Sequence, residues 1–286
     1  MASSAQLIHS IRFGPAGIPI QCEGGTLEGV KCCAELGLRA MEMEFVQGVR
    51  MKEAQAKSIK PIAESLDVSL SSHAPYFVNL CSTEEEKIRN SRRNIFEAAQ
   101  ATSWAGGRIT VFHPGFYQKL SKDVAYGIAK KNLEELHEKI DSHGIKIILG
   151  AETVGKPTQF GGFEEVIRLS EELGFVEPVL DFSHLHARRD FNIRSEREYV
   201  EIFKQLESRL GDYVHHFHSH FSEINYTEKG ERNHLPLGTN NEPPFKPLIK
   251  VLSENGYSGT IICESPKLEY DALLMQKEYK RCSHAN

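Results

Sequence analysis

Short apolar runs alternate with longer amphipathic ones along the chain. The short runs are 40–45 (AMEMEF), 68–73 (VSLSSH), 107–113 (GRITVFH), 146–152 (KIILGAE), 178–181 (PVLD), 214–220 (VHHFHSH) and 259–264 (GTIICE). Their length and apolar content predict strands. Segment 11–20 (IRFGPAGIPI) is a weaker first strand, because glycines and prolines interrupt it. Between these runs the period becomes helical, most clearly over 83–103, 121–142, 162–173, 195–210 and 244–255. In 162–173, Phe163, Val166, Ile167 and Leu173 fall along one helical face with Ser170 as a small polar break, and Gly174 follows as a candidate C-cap. Residues 268–286 read as a final amphipathic helix and a polar tail.

Eight strand–helix units in 286 residues make about 36 residues per unit, which matches a (β/α)8 barrel. The expected fold is therefore α/β, a TIM barrel forming one domain over residues 1–286. An open doubly wound sheet competes, but it usually carries a Gly-rich phosphate turn after its first strand, and none is evident. No Pro/Gly/Ser linker, low-complexity segment or tandem repeat divides the chain.

Lys plus Arg is 34 and Asp plus Glu is 39, a formal net charge of −5. That argues against a protein that coats nucleic acid by bulk charge. It leaves room for a local positive site, since bound divalent ions add charge that a residue count omits. No run of 18 apolar residues occurs, so no membrane span is expected. The start, MASSAQLIHSIRFG, lacks the basic and long apolar regions of a signal peptide. Cysteines 22, 32, 33, 81, 263 and 282 show no C-x-x-C spacing. Reduced thiols in a cytoplasmic protein are expected.

The residues that close the strands carry the chemistry. Successive strands end in His73, His113, Glu152, Asp181 (with His184 just after it), His220 and Glu264. The gaps are 40, 39, 29, 39 and 44 residues, about one βα unit each. In a closed parallel barrel all C-terminal strand ends meet at one mouth. Imidazole and carboxylate converging there suit Zn2+, Mn2+ or Fe2+, whereas Ca2+ prefers an all-oxygen shell. Of the 13 histidines, eight lie in or near the proposed mouth: 73, 113, 184, 186, 215, 218, 220 and 234. Strand alternation puts 216, 218 and 220 on one face, and only the last should reach the mouth, so His220 is the favoured ligand and His218 the alternative. His186 reads as a supporting or surface residue. Glu231-Arg-Asn-His234 reads as a loop after the seventh strand that either adds a carboxylate and an imidazole or is solvated.

The chain resembles the endonuclease IV family, the zinc-dependent apurinic/apyrimidinic endonucleases on the xylose-isomerase-like barrel. The resemblance spans roughly residues 40–266 and rests on His73-Ala-Pro-Tyr-Phe-Val-Asn-Leu80, Phe112-His-Pro-Gly115, Ala151-Glu-Thr153, Asp181-Phe-Ser-His184, His220-Phe-Ser-Glu223, Asn233-His-Leu-Pro-Leu-Gly238 and Glu264-Ser-Pro266. It implies a cluster of two or three zinc ions, Mn2+ or Fe2+ being alternatives. His73 and His113 would hold one ion, and Glu152 would bridge it to a second completed by Asp181, His220 and Glu264. His184, His234 and the acidic Glu231 would hold the third. The family's Asp-x-His is here Glu231-Arg-Asn-His234, a longer spacing that singles out the third ion. The family's His-Leu-Asn-Asp is here His220-Phe-Ser-Glu223, a milder change.

The implied activity is hydrolysis of double-stranded DNA 5′ to an abasic site, as in base excision repair, by a monomer. Zinc lowers the pKa of bound water to about 7, which provides a hydroxide nucleophile. Glu152 and Glu264 are the catalytic candidates. Three divalent ions would outweigh the four carboxylates Glu152, Asp181, Glu231 and Glu264, leaving the mouth positive. Tyr76 and Phe77 would enter the minor groove and hold the abasic nucleotide out of the stack, with Arg50 as a further DNA contact. Alternatively Tyr76 and Phe77 only cover the rim. Arg188 and Arg189 either contact phosphate or are solvated.

The same barrel serves sugar isomerases and epimerases, which bind one ion through two Glu, one Asp and one His. Glu152, Asp181, His220 and Glu264 match that set equally well. The additional histidines 73, 113, 184 and 234 separate the two readings. A scaffold barrel without metals is the third reading, opposed by the intact set of candidate ligands.

Overall fold

The computed structural model describes residues 11–283. Residues 1–10, most of the segment read for a signal peptide, and the tail residues 284–286 lie outside it. Eight parallel strands form the central sheet: β1 (Ile11–Pro15), β2 (Ala40–Glu44), β3 (Ser69–His73), β4 (Ile109–Phe112), β5 (Ile148–Glu152), β6 (Val176–Asp181), β7 (Phe217–Phe221) and β8 (Gly259–Cys263). Neighbours follow chain order from β2 round to β8, which then pairs with β1 in register from Ile11↔Gly259 to Pro15↔Cys263. This is the expected TIM barrel.

The ring is nearly closed. Between β1 and β2 there is one parallel bridge, Ala16↔Glu42, and backbone bonds from Arg39 N to Phe13 O (3.1 Å) and from Gly17 N to Glu42 O (2.9 Å). Gly14 permits this approach: a Cβ there would lie 1.9 Å from the Ala40 carbonyl oxygen.

The strands are buried along nearly their whole length, because helices cover the barrel outside and side chains fill it inside. The helices are α1 (Thr26–Glu35), α2 (Glu53–Ser65), α3 (Glu85–Trp104), α4 (Lys122–Ser142), α5 (Phe163–Glu172), α6 (Phe182–Arg188), α7 (Glu196–Leu210), α8 (Phe245–Asn255) and α9 (Glu269–Ser283). Each expected helix is present within two residues of its predicted ends. On α5 the buried face is Phe163, Val166, Ile167 and Leu169, as its period requires. Its N-terminus is tied by Glu165, whose Oε2 accepts from Gly161 N (3.1 Å) and Gly162 N (2.8 Å). On α7, Glu198 Oε2 likewise accepts from Ser195 N (2.9 Å) and from Ser195 Oγ (2.9 Å).

Several expectations need correction. Helices α1, α2 and α6 have no counterpart in the predicted set: α1 and α6 are short, and α2 carries Pro61 and few apolar residues. Gly174 is not a left-handed cap, since α5 ends on Leu173 in an extended conformation (φ −129°, ψ 94°). Cys22 and Cys32 are joined by a disulfide with Cα atoms 6.4 Å apart, so the expectation of six reduced thiols fails. Residue spacing gave no hint of that pairing, because a turn after β1 brings the two together. Cys33, Cys81 and Cys263 are free and buried. No helix among the described residues is long and apolar enough to cross a membrane.

Two small antiparallel ribbons stand at the C-terminal end of the barrel. One pairs Gly115–Phe116 with Gln159–Phe160; the other pairs Glu223–Thr227 with Gly230–Leu235. The second ribbon replaces the loop expected around residues 231–234.

Candidate metal centre

Every strand from β3 to β8 delivers a polar side chain to the mouth. His73, Glu152 and Asp181 close β3, β5 and β6; His113 and Glu264 follow β4 and β8 by one residue; His220 is the penultimate residue of β7. Asp181 also starts α6, with its Oδ1 accepting from His184 N at 2.8 Å, which sets His184 one turn above it.

Among the described residues, potential ligand atoms within 4.8 Å of one another form three adjoining groups at the mouth, namely His73, His113 and Glu152; Glu152, Asp181, His220 and Glu264; and Asp181, His184, His234 and Glu264; a fourth group is Glu42, His218 and His220. Glu152 belongs to two groups, as do Asp181 and Glu264. Glu231 joins the third, its Oε2 standing 3.0 Å from His184 Nε2.

The long spacing from Glu231 to His234 is absorbed by a β-bulge. Tyr226 pairs with Glu231 and Asn225 with Asn233, so Arg232 is left unpaired. One extra residue reverses strand parity beyond it. Residues three apart therefore face the same side, as residues two apart do in a regular strand. Arg232 points to solvent while Glu231 and His234 are half-buried. Inserting a second residue beside Arg232 is expected to turn His234 away and remove one ion per chain by elemental analysis. Deleting Arg232 is expected to leave the metal count unchanged.

The rings are oriented by their far nitrogens. His73 Nδ1 donates to the Ala74 carbonyl (2.8 Å) and His184 Nδ1 to the Thr153 carbonyl (2.8 Å). Ser222 Oγ donates to its neighbour's carbonyl, Glu223 O (2.8 Å), and so accepts from His234 Nδ1 (2.6 Å). Each ring thus turns Nε2 toward carboxylates: His73 to Glu152 (3.0 Å), His184 to Glu231 (3.0 Å) and His234 to Glu264 (3.4 Å). His113 Nε2 also reaches Glu152 (3.1 Å). A neutral imidazole anchored in this way aims a lone pair at a carboxylate oxygen, an arrangement that wants a cation between them.

Buried Glu152 Oε1, Asp181 Oδ2 and His220 Nδ1 have no hydrogen-bond partner. These orphaned atoms, in a set of nitrogen and oxygen donors, fit divalent transition ions. Protons alone balance the charge only by making imidazolium ions. Burial opposes that, yet Glu152 pushes His73 up to about 9, and Glu152 itself is held far down, against its own burial, by His113 and His220. Burial, only partly offset by His184, raises Asp181 to about 6.

Two carboxylates escaped the sequence reading. Glu42 and Glu44 alternate inward along β2, and in AMEMEF they look like the solvated half of an amphipathic strand. Glu42 is fully buried and touches both His218 and His220. Glu44 is raised to about 8 by burial, partly offset by His73. The signal was available in the fold class: a parallel barrel has no solvated inner face.

Other candidates fall elsewhere. His218 sits one layer below the mouth, bonded to Glu42 at 3.0 Å. His215 lies before β7, at the opposite end from the mouth. His186 is buried against Tyr226 OH (3.2 Å) and is in none of the donor groups. Arg188 is buried, donating to the carbonyls of Lys156 and Gln159, so it is neither solvated nor a phosphate contact. Arg189 is the exposed left-handed cap of α6 (φ 68°). Arg50 is exposed in the loop after β2. Tyr76 and Phe77 are 51% and 80% exposed, so they project rather than seal the rim. The Tyr76 ring stands 5.3 Å from that of His73 and 5.7 Å from that of His113. A cavity of about 310 Å³ runs from Tyr76 and Phe116 to His113, His184, Glu231, His234 and Glu264.

Residues 30–280 match the xylose isomerase-like TIM barrel family. The chain belongs to that family. Among similar proteins of this barrel family, an uncharacterized protein of Methanocaldococcus jannaschii is 42% identical over 93% of this chain and 96% of its own length. The apurinic-apyrimidinic endonuclease of Caenorhabditis elegans is 25% identical over 91% of this chain and 68% of its own. The solved endonuclease IV from Thermus thermophilus superposes with a TM-score of 0.72 at 18% identity, covering 96% of this chain and 100% of that one. A D-tagatose 3-epimerase-like protein gives 0.70 at 20% identity, covering 96% and 99%. One barrel thus carries endonucleases and epimerases, and the fold does not choose between them.

Proposed function

We propose that this chain is a metal-dependent phosphodiesterase that hydrolyses DNA on the 5′ side of abasic sites. One observation carries the reading. The four-donor group of Glu152, Asp181, His220 and Glu264 would suffice for a single ion, yet it is flanked by His73 and His113 on one side and His184 and His234 on the other. A one-ion isomerase has no use for those flanking imidazoles. In-line displacement at phosphorus benefits from charge neutralisation at both the attacking and the leaving oxygen. The endonuclease relative at 25% identity points the same way.

His73, His113, Glu152, Asp181, His184, His220, Glu231, His234 and Glu264 would hold two or three zinc ions, with Mn2+ or Fe2+ acceptable to the same donors. Bound there, such ions would supply Lewis acidity at the phosphoryl oxygens and water made acidic enough to act as a nucleophile near neutral pH. The protein's own contribution is position. Glu152, Asp181 and Glu264 each belong to two groups at the mouth, so each would help to hold more than one ion. Tyr76 projects beside His73 and His113, and Phe77 next to it in the chain is still more exposed; the two would fill the stack left by an extruded abasic nucleotide. The cavity beside them falls in the size range of small-ligand sites and would receive the sugar and its phosphate. Arg50 would meet the backbone of the same duplex.

The test is incubation of the zinc-loaded protein with a duplex holding one abasic site. A single nick 5′ to the lesion is expected. An intact duplex, with a ketose converted to its epimer by the same preparation, would favour the one-ion sugar chemistry and end the nuclease reading. Phe77→Ala is expected to weaken binding of the abasic duplex by roughly 5- to 100-fold, the worth of one stacked aromatic, with metal content unchanged. Equal affinities in a fluorescence-anisotropy titration would show that Phe77 does not enter the helix.

A further inference from the structure

We infer that Gly155, in the turn after β5, is a positioning residue: having no side chain, it lets the Glu231 carboxylate reach the third donor group beside His184 and His234. The inference rests on the metal centre proposed above and not on the identity of its substrate.

Glu231 stands on the ribbon strand Gly230–Leu235, which crosses the turn leaving β5. Two buried glycines make that crossing close. A Cβ on Gly155 would lie 2.1 Å from Glu231 Oε2, 2.8 Å from its Cβ and 3.0 Å from its Cδ. A Cβ on Gly230 would lie 2.3 Å from the Gly155 carbonyl oxygen and 2.9 Å from the Lys156 Cα. Gly230 also holds a φ of 95°, which a residue with a side chain adopts only under strain. Glu231 N donates to Gly155 O at 3.1 Å and ties the two segments together. The carboxylate is thereby set between two nitrogens. Its Oε2 lies 3.0 Å from His184 Nε2, and its Oε1 lies 3.8 Å from Lys156 Nζ.

The turn beneath Glu231 is pinned. Val154 N donates to Gly161 O (2.9 Å) and Gln159 N to Lys156 O (3.0 Å). The buried Arg188 guanidinium donates to the Lys156 and Gln159 carbonyls as well. A methyl group at position 155 must therefore push on Glu231. Swinging the carboxylate aside relieves the contact with Oε2 but not the one with Cβ, which is fixed to the ribbon backbone. The ribbon has to lift. His234 rides on the same ribbon, so the lift also draws its imidazole away from Glu264, now 3.4 Å distant. The other two groups at the mouth contain no ribbon residue and should keep their ions. The bulge at Arg232 thus sets the direction of Glu231 and His234, and Gly155 gives the carboxylate its room.

The experiment compares Gly155→Ala with the wild-type full-length protein, using zinc itself as the probe. Elemental analysis counts the ions per chain, and competition against a chromophoric chelator gives their affinities. The variant is expected to carry one zinc fewer, or to hold its weakest zinc about 10- to 100-fold less tightly, with the others retained. An unchanged count with affinities within about threefold of wild type overturns the inference. So does loss of every ion, which would mean that the whole mouth was disturbed. Glu231→Gly supplies the second arm, because it removes all three atoms that the new methyl group would strike. On that background Gly155→Ala is expected to change zinc affinity by less than about threefold. A larger further loss would show that Gly155 acts through something other than Glu231 and overturns the inference. If Gly155→Ala alone does not fold, the double variant decides: it is expected to fold and to match Glu231→Gly in zinc content, and its failure to fold overturns the inference. A wild-type protein that cuts no abasic duplex but shows these zinc differences would end only the nuclease reading. A wild-type protein that nicks the duplex while Gly155→Ala keeps all its zinc would end only the inference.

Discussion

Replacing Glu152 with alanine is expected to lower cleavage of an abasic duplex by at least about a thousandfold, or roughly 4 kcal/mol of transition-state stabilisation. Its Oε2 lies 3.0 Å from His73 and 3.1 Å from His113, while its Oε1 lies 3.2 Å from His184 and 3.3 Å from His220. No other carboxylate of the site touches four imidazoles. Alanine removes the member shared by two donor groups, so at least one ion should leave and the rest lose their spacing. The loss should appear in kcat and in metal content together. A variant that keeps both within tenfold would show that Glu152 bridges nothing. Glu152→Gln is the useful companion, since it keeps the volume of a fully buried side chain and avoids a cavity.

Stripping the bound ions with a chelator is expected to lower the melting temperature by on the order of 5–15 °C, with recovery when zinc is restored. An ion present at a thousand times its dissociation constant stabilises the folded state by about 4 kcal/mol, and a chain of this size shifts by a few degrees per kcal/mol. The sign follows from the site. Glu42, Glu152 and Asp181 are buried, and only part of their charge is met by donors of the chain. Without ions, protons must be taken up by histidines that burial would otherwise keep neutral. An unchanged melting curve, with zinc shown to have left, would mean that the cluster contributes nothing to folding.

The barrel and its mouth were legible because the two periodicities are strong here. Strands such as Ile109-Thr-Val-Phe112 are short, apolar and buried throughout, and α5 and α7 carry clean apolar faces between recognisable caps. Spacing by whole βα units then placed His73, His113, Glu152, Asp181, His220 and Glu264 on one rim without any knowledge of tertiary contacts. What escaped depends on contacts that no local pattern encodes. Glu42 meets residues 176 and 178 positions away on β7. The bulge at Arg232 needed the ribbon partner to be known. Arg188 looked like half of an exposed basic pair, yet its guanidinium is consumed by the carbonyls of Lys156 and Gln159 under α6. The Cys22–Cys32 bond depends on the path of the chain between β1 and α1, where turns follow one another without a periodic signal.

Anomalous diffraction from crystals of the protein grown with zinc would count the ions and locate each one. The account predicts at least two peaks, one among His73, His113 and Glu152 and one shared by Glu152, Asp181, His220 and Glu264, with His184, Glu231 and His234 as the place of any third. A lone peak in the second position, with the flanking histidines left to protons and water, would contradict it.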